Sequence, residues 1–307
     1  MTNSAYIFPG QGSQYVEMGL DLYNKYPSAK AVFDRADEVL GFRLSKLCFE
    51  GPEEELELTI NAQPALLVMS IATFEAVCEF APEALPKPAY AAGHSLGEYT
   101  ALTVAGALDF DDAVAMARER GRLMYEAGLR EPGAMAAIIG MSREILEKIC
   151  RETGTYIANL NCPGQIVISG EKEHVTNAVR ITKERGAKLA IKLQVSGAFH
   201  SPLMSSAAEG LEPYIKRKKI ADPNIPVIGN TTAQELTDAG TVRDELLKQV
   251  CNCVRWDDTV RYLLSRGVNN FIEIGPGEVL TGLVQRISDD VTTLNIGDCD
   301  AVEALKL

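Results

Sequence analysis

A serine on a sharp turn, Ser95, constrains the possible folds of this chain more than any other feature. Residues 89–93 run small and apolar into Gly93, residues 94–97 read as a tight turn, and residues 98–102 leave as a helix. The order Gly93-x-Ser95-x-Gly97 is typical of a nucleophile elbow, a strand-to-helix turn whose neighbouring backbone packs too closely for a Cβ atom. The helix N-terminus would stabilise negative charge developing at the serine during acyl transfer. Because the chain has 25 glycines, the pattern can also arise by chance. The strand and helix signals on either side of it favour the nucleophile elbow.

Composition and net charge bound the possible size and function of the chain. The 307 residues are enough for one large domain or two, and 46% hydrophobic with 23% charged residues is typical of a globular protein. A net charge of −12 argues against a nucleic-acid binder, which would present a basic face.

The seven cysteines are scattered and odd in number, without C-x-x-C spacing. Cys251-x-Cys253 has no nearby histidine, so we expect reduced thiols and neither disulfides nor a metal site. No signal segment begins the sequence, and no apolar run reaches the roughly 18 residues of a membrane span. These observations predict a cytoplasmic protein that does not enter a membrane.

The order of predicted elements indicates two domains. Between residues 133 and 195 the patterns alternate as β-α-β-β-α-β, which is the ferredoxin-like plan. The patterns before and after this segment are those of an α/β fold. We therefore predict an α/β-hydrolase-like domain formed by residues 1–129 and 197–307, with a ferredoxin-like subdomain, residues 130–196, inserted into it.

A glycine-rich loop, residues 9–14, follows the first apolar strand. It contains neither Gly-Lys-Ser/Thr nor G-x-G-x-x-G, so a phosphate-binding loop is rejected. We expect instead that the loop brings backbone N–H groups and the Gln11 amide close to a ligand. Residues 61–80 are apolar and without glycine, which predicts a buried helix packed behind the turn.

A serine nucleophile needs a base, and the chain has three histidines. His94 adjoins the serine, and adjacent side chains diverge on a sharp turn. His174 lies in a charged helix start, which predicts exposure. His200 lies in a loop of small residues where the inserted subdomain rejoins the large domain, so elimination leaves it as the base. No acidic residue has a recognisable setting for orienting it, and a backbone carbonyl or an amide remains possible.

Three arginines, Arg118, Arg120 and Arg122, lie on one predicted helix of residues 111–127. Such a set usually marks a solvated face, and two of the three are expected there. One of the two that adjoin Gly121, Arg120 or Arg122, could instead point into a pocket and hold a carboxylate.

Taken together, the motifs resemble those of the malonyl-CoA:acyl-carrier-protein transacylases of fatty acid and polyketide synthesis. The resemblance covers nearly the whole chain. The matching motifs, in chain order, are residues 8–14 (FPGQGSQ), 63–65 (QPA), 93–99 (GHSLGEY), 120–121 (RG) with Met124, 133–136 (GAMA), 161–165 (NCPGQ), His200, and 273–277 (EIGPG) with Leu280.

The resemblance implies a role for each matching residue. Ser95 would be the acylated nucleophile and His200 its general base, with the Gln249 main-chain carbonyl orienting the histidine. Backbone N–H groups of Gln11 and Leu96 would form the oxyanion hole. The remaining residues would contact the substrate: Arg120 by pairing with the free malonyl carboxylate, together with Met124, Asn161 and Phe199.

The implied reaction is ping-pong transfer of malonyl from malonyl-CoA to Ser95, then to the phosphopantetheine thiol of acyl carrier protein. The resemblance implies no bound cofactor, no metal, a transient acidic carrier partner and a monomer. Where relatives often have Asn-Pro, this chain has Asn252-Cys253, which affects the expected placement of Gln249. Phe199 matches the malonyl-selecting form of its motif.

Several alternatives stay open at this stage. The pathway could be polyketide rather than fatty acid synthesis, the enzyme could be an acyl thioesterase, or the chain could be a non-catalytic synthase subunit. The basic run of residues 216–219 is either part of a carrier docking patch or a solvated helix end.

Overall fold

A computed structural model describes residues 3–195 and 197–306. The strands within these residues form two separate sheets. The strands are β1 (Asn3–Phe8), β2 (Tyr90–Gly93), β3 (Gly133–Ile139), β4 (Tyr156–Cys162), β5 (Gln165–Glu171), β6 (Leu189–Lys192), β7 (Val227–Ile228), β8 (Glu235–Leu236), β9 (Val268–Ile274) and β10 (Thr292–Ile296).

Helices join the strands of both sheets. The α-helices are α1 (Leu20–Lys25), α2 (Pro27–Leu40), α3 (Leu44–Glu50), α4 (Glu53–Glu57), α5 (Thr59–Phe80), α6 (Gly97–Val104), α7 (Phe110–Arg130), α8 (Arg143–Thr153), α9 (Lys172–Glu184), α10 (Ser205–Arg217), α11 (Ala239–Gln249), α12 (Trp256–Ser265), α13 (Val279–Ile287) and α14 (Cys299–Ala304).

The larger sheet has the order β10-β9-β1-β2-β7-β8. All its pairs are parallel except β7 with β8. The central strand β1 is apolar and almost entirely buried, as expected for a parallel strand covered on both faces. Since the carboxyl ends of β1 and β2 lie side by side, the loops at residues 9–14 and 94–96 meet at one edge of the sheet.

The smaller sheet is antiparallel, with the order β4-β5-β3-β6, and α8 and α9 join its strands in the order β-α-β-β-α-β. The predicted fold class, a hydrolase-like α/β domain with a ferredoxin-like insertion, is confirmed. The domain boundaries at residues 130 and 196 stay a prediction. A parallel bridge between Asn159 and Val254 joins the insertion to the large domain.

The predicted buried helix is α5, whose side chains are mostly inaccessible to solvent. By length and hydropathy this one helix, among the described residues, would be long and apolar enough to cross a membrane, which corrects the expectation that no such run exists. However, 78% of its most apolar window is buried inside the protein, and α2 and α7 pack against it. It is therefore a core helix.

Several elements differ from the sequence-based expectation. The apolar pattern of residues 20–40 predicts one helix, but the structure has two, because Tyr26 is extended and Pro27 begins the second helix. The expectation missed α3, β8 and β10, which are short or carry polar residues that weaken their periodicity. All seven cysteines lie among the described residues and are free thiols.

The glycines of the turn are required by packing. A Cβ atom on Gly93 would lie 1.9 Å from the carbonyl carbon of Gly97. A Cβ atom on Gly97 would lie 2.1 Å from the carbonyl oxygen of Phe8, at the end of β1. Both distances are far below van der Waals contact, so the turn keeps this shape only with glycine at both positions.

We expect Gly97→Ala to lower the free energy of unfolding by about 3 kcal/mol or more, because backbone rather than a flexible side chain must move. Urea unfolding followed by circular dichroism measures this change. Gly282→Ala on α13 is the matched control, since its Cβ meets no atom within 4 Å. It should raise stability by about 0.5–1 kcal/mol through helix propensity. Equal effects of the two substitutions would contradict the packing argument.

Candidate active site

Ser95 lies at the tip of the turn between β2 and α6. Its φ angle is +52°, a left-handed conformation that is unusual for a residue other than glycine. The Ser95 Oγ lies 2.8 Å from Nε2 of His200. The structure thus brings together the nucleophile and the base that were predicted from the sequence.

His200 is buried and has a φ angle of +57°. Its Nδ1 lies 3.0 Å from the main-chain oxygen of Gln249 and 3.1 Å from that of Asn252. Both oxygens are acceptors, so Nδ1 carries the proton and Nε2 is left to accept the Ser95 hydroxyl hydrogen. Backbone carbonyls therefore occupy the position that a carboxylate holds in a hydrolase triad. The predicted Gln249 contact is present despite Cys253 in place of proline.

Burial, together with the positive charge of Arg120, lowers the pKa of His200 from 6.5 to about 3. The two carbonyl hydrogen bonds oppose this shift of the pKa without cancelling it. The imidazole is therefore neutral near neutral pH, which is the form that can accept a proton.

Arg120 is the arginine of α7 that points into the site, and it is 1% exposed. One guanidinium nitrogen, Nη1, donates to Gln63 Oε1 at 2.5 Å. The other, Nη2, donates to Gln249 Oε1 at 2.8 Å and lies 3.1 Å from Ser95 Oγ. Among the described residues no carboxylate forms an ion pair with Arg120, and its Nε has no hydrogen-bond partner.

The two neighbouring arginines behave differently. Arg122 pairs with Glu119 and Glu126 on its own helix, as expected for a solvated face. Arg118 is half-buried, stacks over the Phe42 ring and donates to the Ile60 carbonyl, so the expectation that it is simply solvated is wrong. Neither one lines the cavity described below. Arg120 is thus the buried cation of this helix that an anionic ligand could reach.

A cavity of about 410 Å³ opens beside Ser95 and is lined by both domains. Asn161 comes from the insertion, and Gln11, Leu96, Met124 and Phe199 from the large domain. All five were predicted as site residues. Gln249 is fully buried behind the cavity, where only its hydrogen bonds reach the site.

The backbone N–H groups of Gln11 and Leu96 border this cavity. Within residues 3–195 and 197–306, neither group donates a hydrogen bond. Two such donors beside a serine, one of them from the residue that follows it, have the arrangement of an oxyanion hole. The Gln11 side chain is held by the Thr59 hydroxyl, whose Oγ1 lies 2.8 Å from Gln11 Oε1.

His94 is turned away from the serine, as predicted for adjacent residues on a sharp turn. Its Nε2 lies 2.9 Å from Oδ1 of Asn161, and its ring packs against Trp256. Burial lowers its pKa. Asn161 therefore contacts His94 while it lines the cavity, and among the described residues His200 is the histidine whose ring hydrogen-bonds with the Ser95 hydroxyl.

Sequence reasoning missed a second group of buried polar residues beneath the turn. Asn230 donates to the Gly93 carbonyl and accepts from the Ser95 N–H, each at 2.7 Å. Its own N–H donates to Glu98 Oε2, also at 2.7 Å. Glu98 lies within the motif that was recognised, but no local signal indicates that a residue from the loop after β7 contacts it. Among the described residues no cluster of three or more His, Cys, Asp or Glu side chains could hold a metal.

The geometry can support covalent acyl transfer at Ser95, with a neutral base, two oxyanion donors and a cation for an acidic acyl group.

Comparison with known proteins gives a consistent result. Residues 5–305 match the family model described as acyl transferase domain. The chain is 48% identical to the malonyl CoA-acyl carrier protein transacylase of Bacillus subtilis, over 99% of this chain and 96% of that protein.

Two solved structures are closely similar. An acyl-carrier-protein-S-malonyltransferase from Bartonella henselae has a TM-score of 0.94 and 39% identity, with both chains covered completely. A malonyl-transacylase in complex with a type II PKS acyl-carrier protein has a TM-score of 0.94 and 39% identity over 99% of each chain.

The lowered pKa of His200 predicts a pH dependence of stability. The folded-state pKa of about 3 lies below the unfolded value of 6.5, so the unfolded chain binds the proton more readily as pH falls. The stability that neutral His200 contributes is therefore present above pH 6.5 and is lost as pH falls towards 3. Between pH 6 and pH 5 the loss should approach about 1.4 kcal/mol.

Urea unfolding of the wild type and of His200→Gln at both pH values measures this contribution. The variant lacks the titrating group, so subtracting its pH dependence removes the effects of other residues. The free energy of unfolding of the wild type minus that of His200→Gln should decrease as pH falls. A difference that stays constant would contradict a depressed pKa at His200.

Proposed function

Because the chain belongs to the acyl transferase family of malonyl CoA-acyl carrier protein transacylases, we propose that its cavity performs malonyl transfer through Ser95. The enzyme moves malonyl from malonyl-CoA to the phosphopantetheine thiol of acyl carrier protein. The observation that supports this function most strongly is the buried Arg120 guanidinium 3.1 Å from Ser95 Oγ, with no carboxylate partner among the described residues.

In the first half-reaction, Ser95 Oγ attacks the thioester carbon while its proton moves to Nε2 of His200. The carbonyl oxygen becomes an oxyanion, which accepts hydrogen bonds from the N–H groups of Gln11 and Leu96. When the carbon–sulfur bond breaks, imidazolium returns the proton to the sulfur and CoA leaves as a thiol. Malonyl is then held on Ser95 as an oxygen ester.

The second half-reaction reverses these steps with a different thiol. His200 takes the proton of the carrier's phosphopantetheine thiol, and the sulfur attacks the ester carbon. Collapse of the second oxyanion returns the proton to Ser95 Oγ and releases the malonyl thioester. The Gln249 and Asn252 carbonyls hold Nδ1–H throughout, so the ring keeps the tautomer that both halves need.

Arg120 selects malonyl over acetyl, because malonyl differs from acetyl by one carboxylate. A guanidinium can donate two parallel hydrogen bonds to such a group, and a low-polarity surrounding strengthens the attraction. The Gln63 and Gln249 amides fix the plane of the guanidinium without neutralising its charge. Met124, Phe199 and Asn161 shape the cavity wall around the acyl group.

The enzyme serves fatty acid biosynthesis in the cytoplasm and needs no bound cofactor. It works as a monomer that binds an acidic carrier protein transiently.

A rival function is a thioesterase with the same turn. The two differ in the fate of the acyl-enzyme, because a thioesterase must admit water. Rapid CoA release from malonyl-CoA without any carrier would favour the thioesterase. Comparing turnover with fatty acid and polyketide carrier proteins tests the pathway.

Incubation with malonyl-CoA should give a covalent malonyl adduct, detected by intact-protein mass spectrometry. Ser95→Ala should abolish the adduct, because it removes the acceptor oxygen. Ser13→Ala, at a second serine that lines the same cavity, is the control and should still be acylated. An adduct that persists in Ser95→Ala would reject the proposed nucleophile.

Arg120→Ala should lower kcat/KM for malonyl-CoA by at least about a hundredfold relative to its effect on acetyl-CoA, because two charge-assisted hydrogen bonds are lost. Arg118→Ala, two residues away on the same helix and outside the cavity, is the control. Steady-state CoA release in the presence of carrier protein measures both substrates. Equal losses for malonyl and acetyl would show that Arg120 does not select the carboxylate.

A further inference from the structure

The hydrogen bonds around Asn230 form a compact unit beneath the nucleophile. Strand β7 pairs in parallel with β2, with Ala91 opposite Val227 and Ala92 opposite Ile228. This register brings the residues that follow β7 alongside the residues that follow β2. The Asn230 side chain therefore reaches both the last residue of β2 and the turn that follows it.

All four hydrogen-bonding groups of Asn230 are engaged, and the residue is 1% exposed. Its side-chain amide spans the turn, since it bonds both the Gly93 carbonyl and the Ser95 N–H at 2.7 Å. Its main-chain N–H bonds Glu98 Oε2 at 2.7 Å, and its main-chain carbonyl accepts from Arg255 N at 2.9 Å. Asn230 thus connects β2, Ser95 and α6 by hydrogen bonds.

The bond to the Ser95 N–H matters because of the backbone conformation there. The left-handed φ of +52° carries an energetic cost for a non-glycine residue, so the surroundings must hold it. A buried N–H without a partner would add to that cost. Asn230 accepts from the Ser95 N–H, whereas the next N–H along the chain, that of Leu96, borders the cavity and has no acceptor among the described residues.

We infer that Asn230, seated by Glu98, is a positioning residue that holds Ser95 in its reactive orientation and reserves the Leu96 N–H for the oxyanion. It touches no reacting atom and acts through the backbone of the turn. The inference rests on the proposed function only in taking Ser95 as a nucleophile and the Leu96 N–H as an oxyanion donor. It does not depend on which acyl group is transferred.

The test uses full-length protein and two acylating agents. Asn230→Ala should slow malonylation of Ser95 by malonyl-CoA in single-turnover, quenched-flow mass spectrometry by at least about tenfold, because a misplaced nucleophile loses its alignment. The apparent KM for malonyl-CoA should stay within about threefold, because Arg120 is untouched. A fluorophosphonate, whose fluoride is displaced by Ser95 Oγ, should react more slowly by a similar factor.

Thr231→Ala is the matched control. Thr231 is the next residue after Asn230. The substitution removes the 2.7 Å hydrogen bond between Thr231 Oγ1 and Glu245 Oε2, which does not involve the turn. Its acylation rate should stay within about twofold of the wild type. Thermal unfolding of each variant shows that the protein assayed is folded.

Glu98 supplies a second pair of variants if Asn230→Ala does not fold. Glu98→Ala removes the acceptor for the Asn230 N–H and should slow both reactions, whereas Glu98→Gln keeps an acceptor oxygen and should restore most of the rate. Equal rates in these two variants, or a folded Asn230→Ala that reacts like the wild type, would overturn the inference. A wild type that reacts with the fluorophosphonate but not with malonyl-CoA would instead reject the proposed function, and the fluorophosphonate rates would still decide the role of Asn230.

Discussion

The site depends on one buried charge that the protein does not neutralise. Arg120 is almost inaccessible, and the groups that contact it are amide oxygens and a hydroxyl. Desolvation of a cation costs several kcal/mol, and amide dipoles offset only part of it. Burial is the main cause of the lowered pKa of His200, and the Arg120 charge adds to it, so the imidazole stays neutral. One buried charge therefore affects both the electrostatics of the cavity and the protonation of His200.

Gln249 connects the parts of the site that this charge affects. Its main-chain oxygen faces His200, its side-chain oxygen accepts from Arg120, and its side-chain nitrogen donates to the Ser95 carbonyl at 2.8 Å. A residue with three such contacts couples the positions of base, cation and nucleophile. Because an amide has both a donor and an acceptor, glutamine can make both side-chain contacts, whereas a carboxylate would pair with Arg120 and cancel its charge.

The sequence predicted what short stretches determine by themselves. The turn at Ser95 follows from glycine spacing and flanking patterns, and His200 followed by elimination, because three histidines left few choices. The insertion followed from its β-α-β-β-α-β alternation. Asn230 could not be found in this way, since its importance arises from the register between β2 and the two-residue strand β7. Likewise, the contacts of Gln63 with Arg120 and of Thr59 with Gln11 depend on how α5 packs, which no periodicity encodes.

The pairing of β1 with β9 has a consequence for how the enzyme is made. The glycine-rich loop follows β1, Ser95 follows β2, and the groups that hydrogen-bond with Ser95 come from residues 120, 200, 230 and 249. Contacts of such long sequence separation form late in folding. Nearly the whole sequence must therefore emerge and fold before these groups surround Ser95.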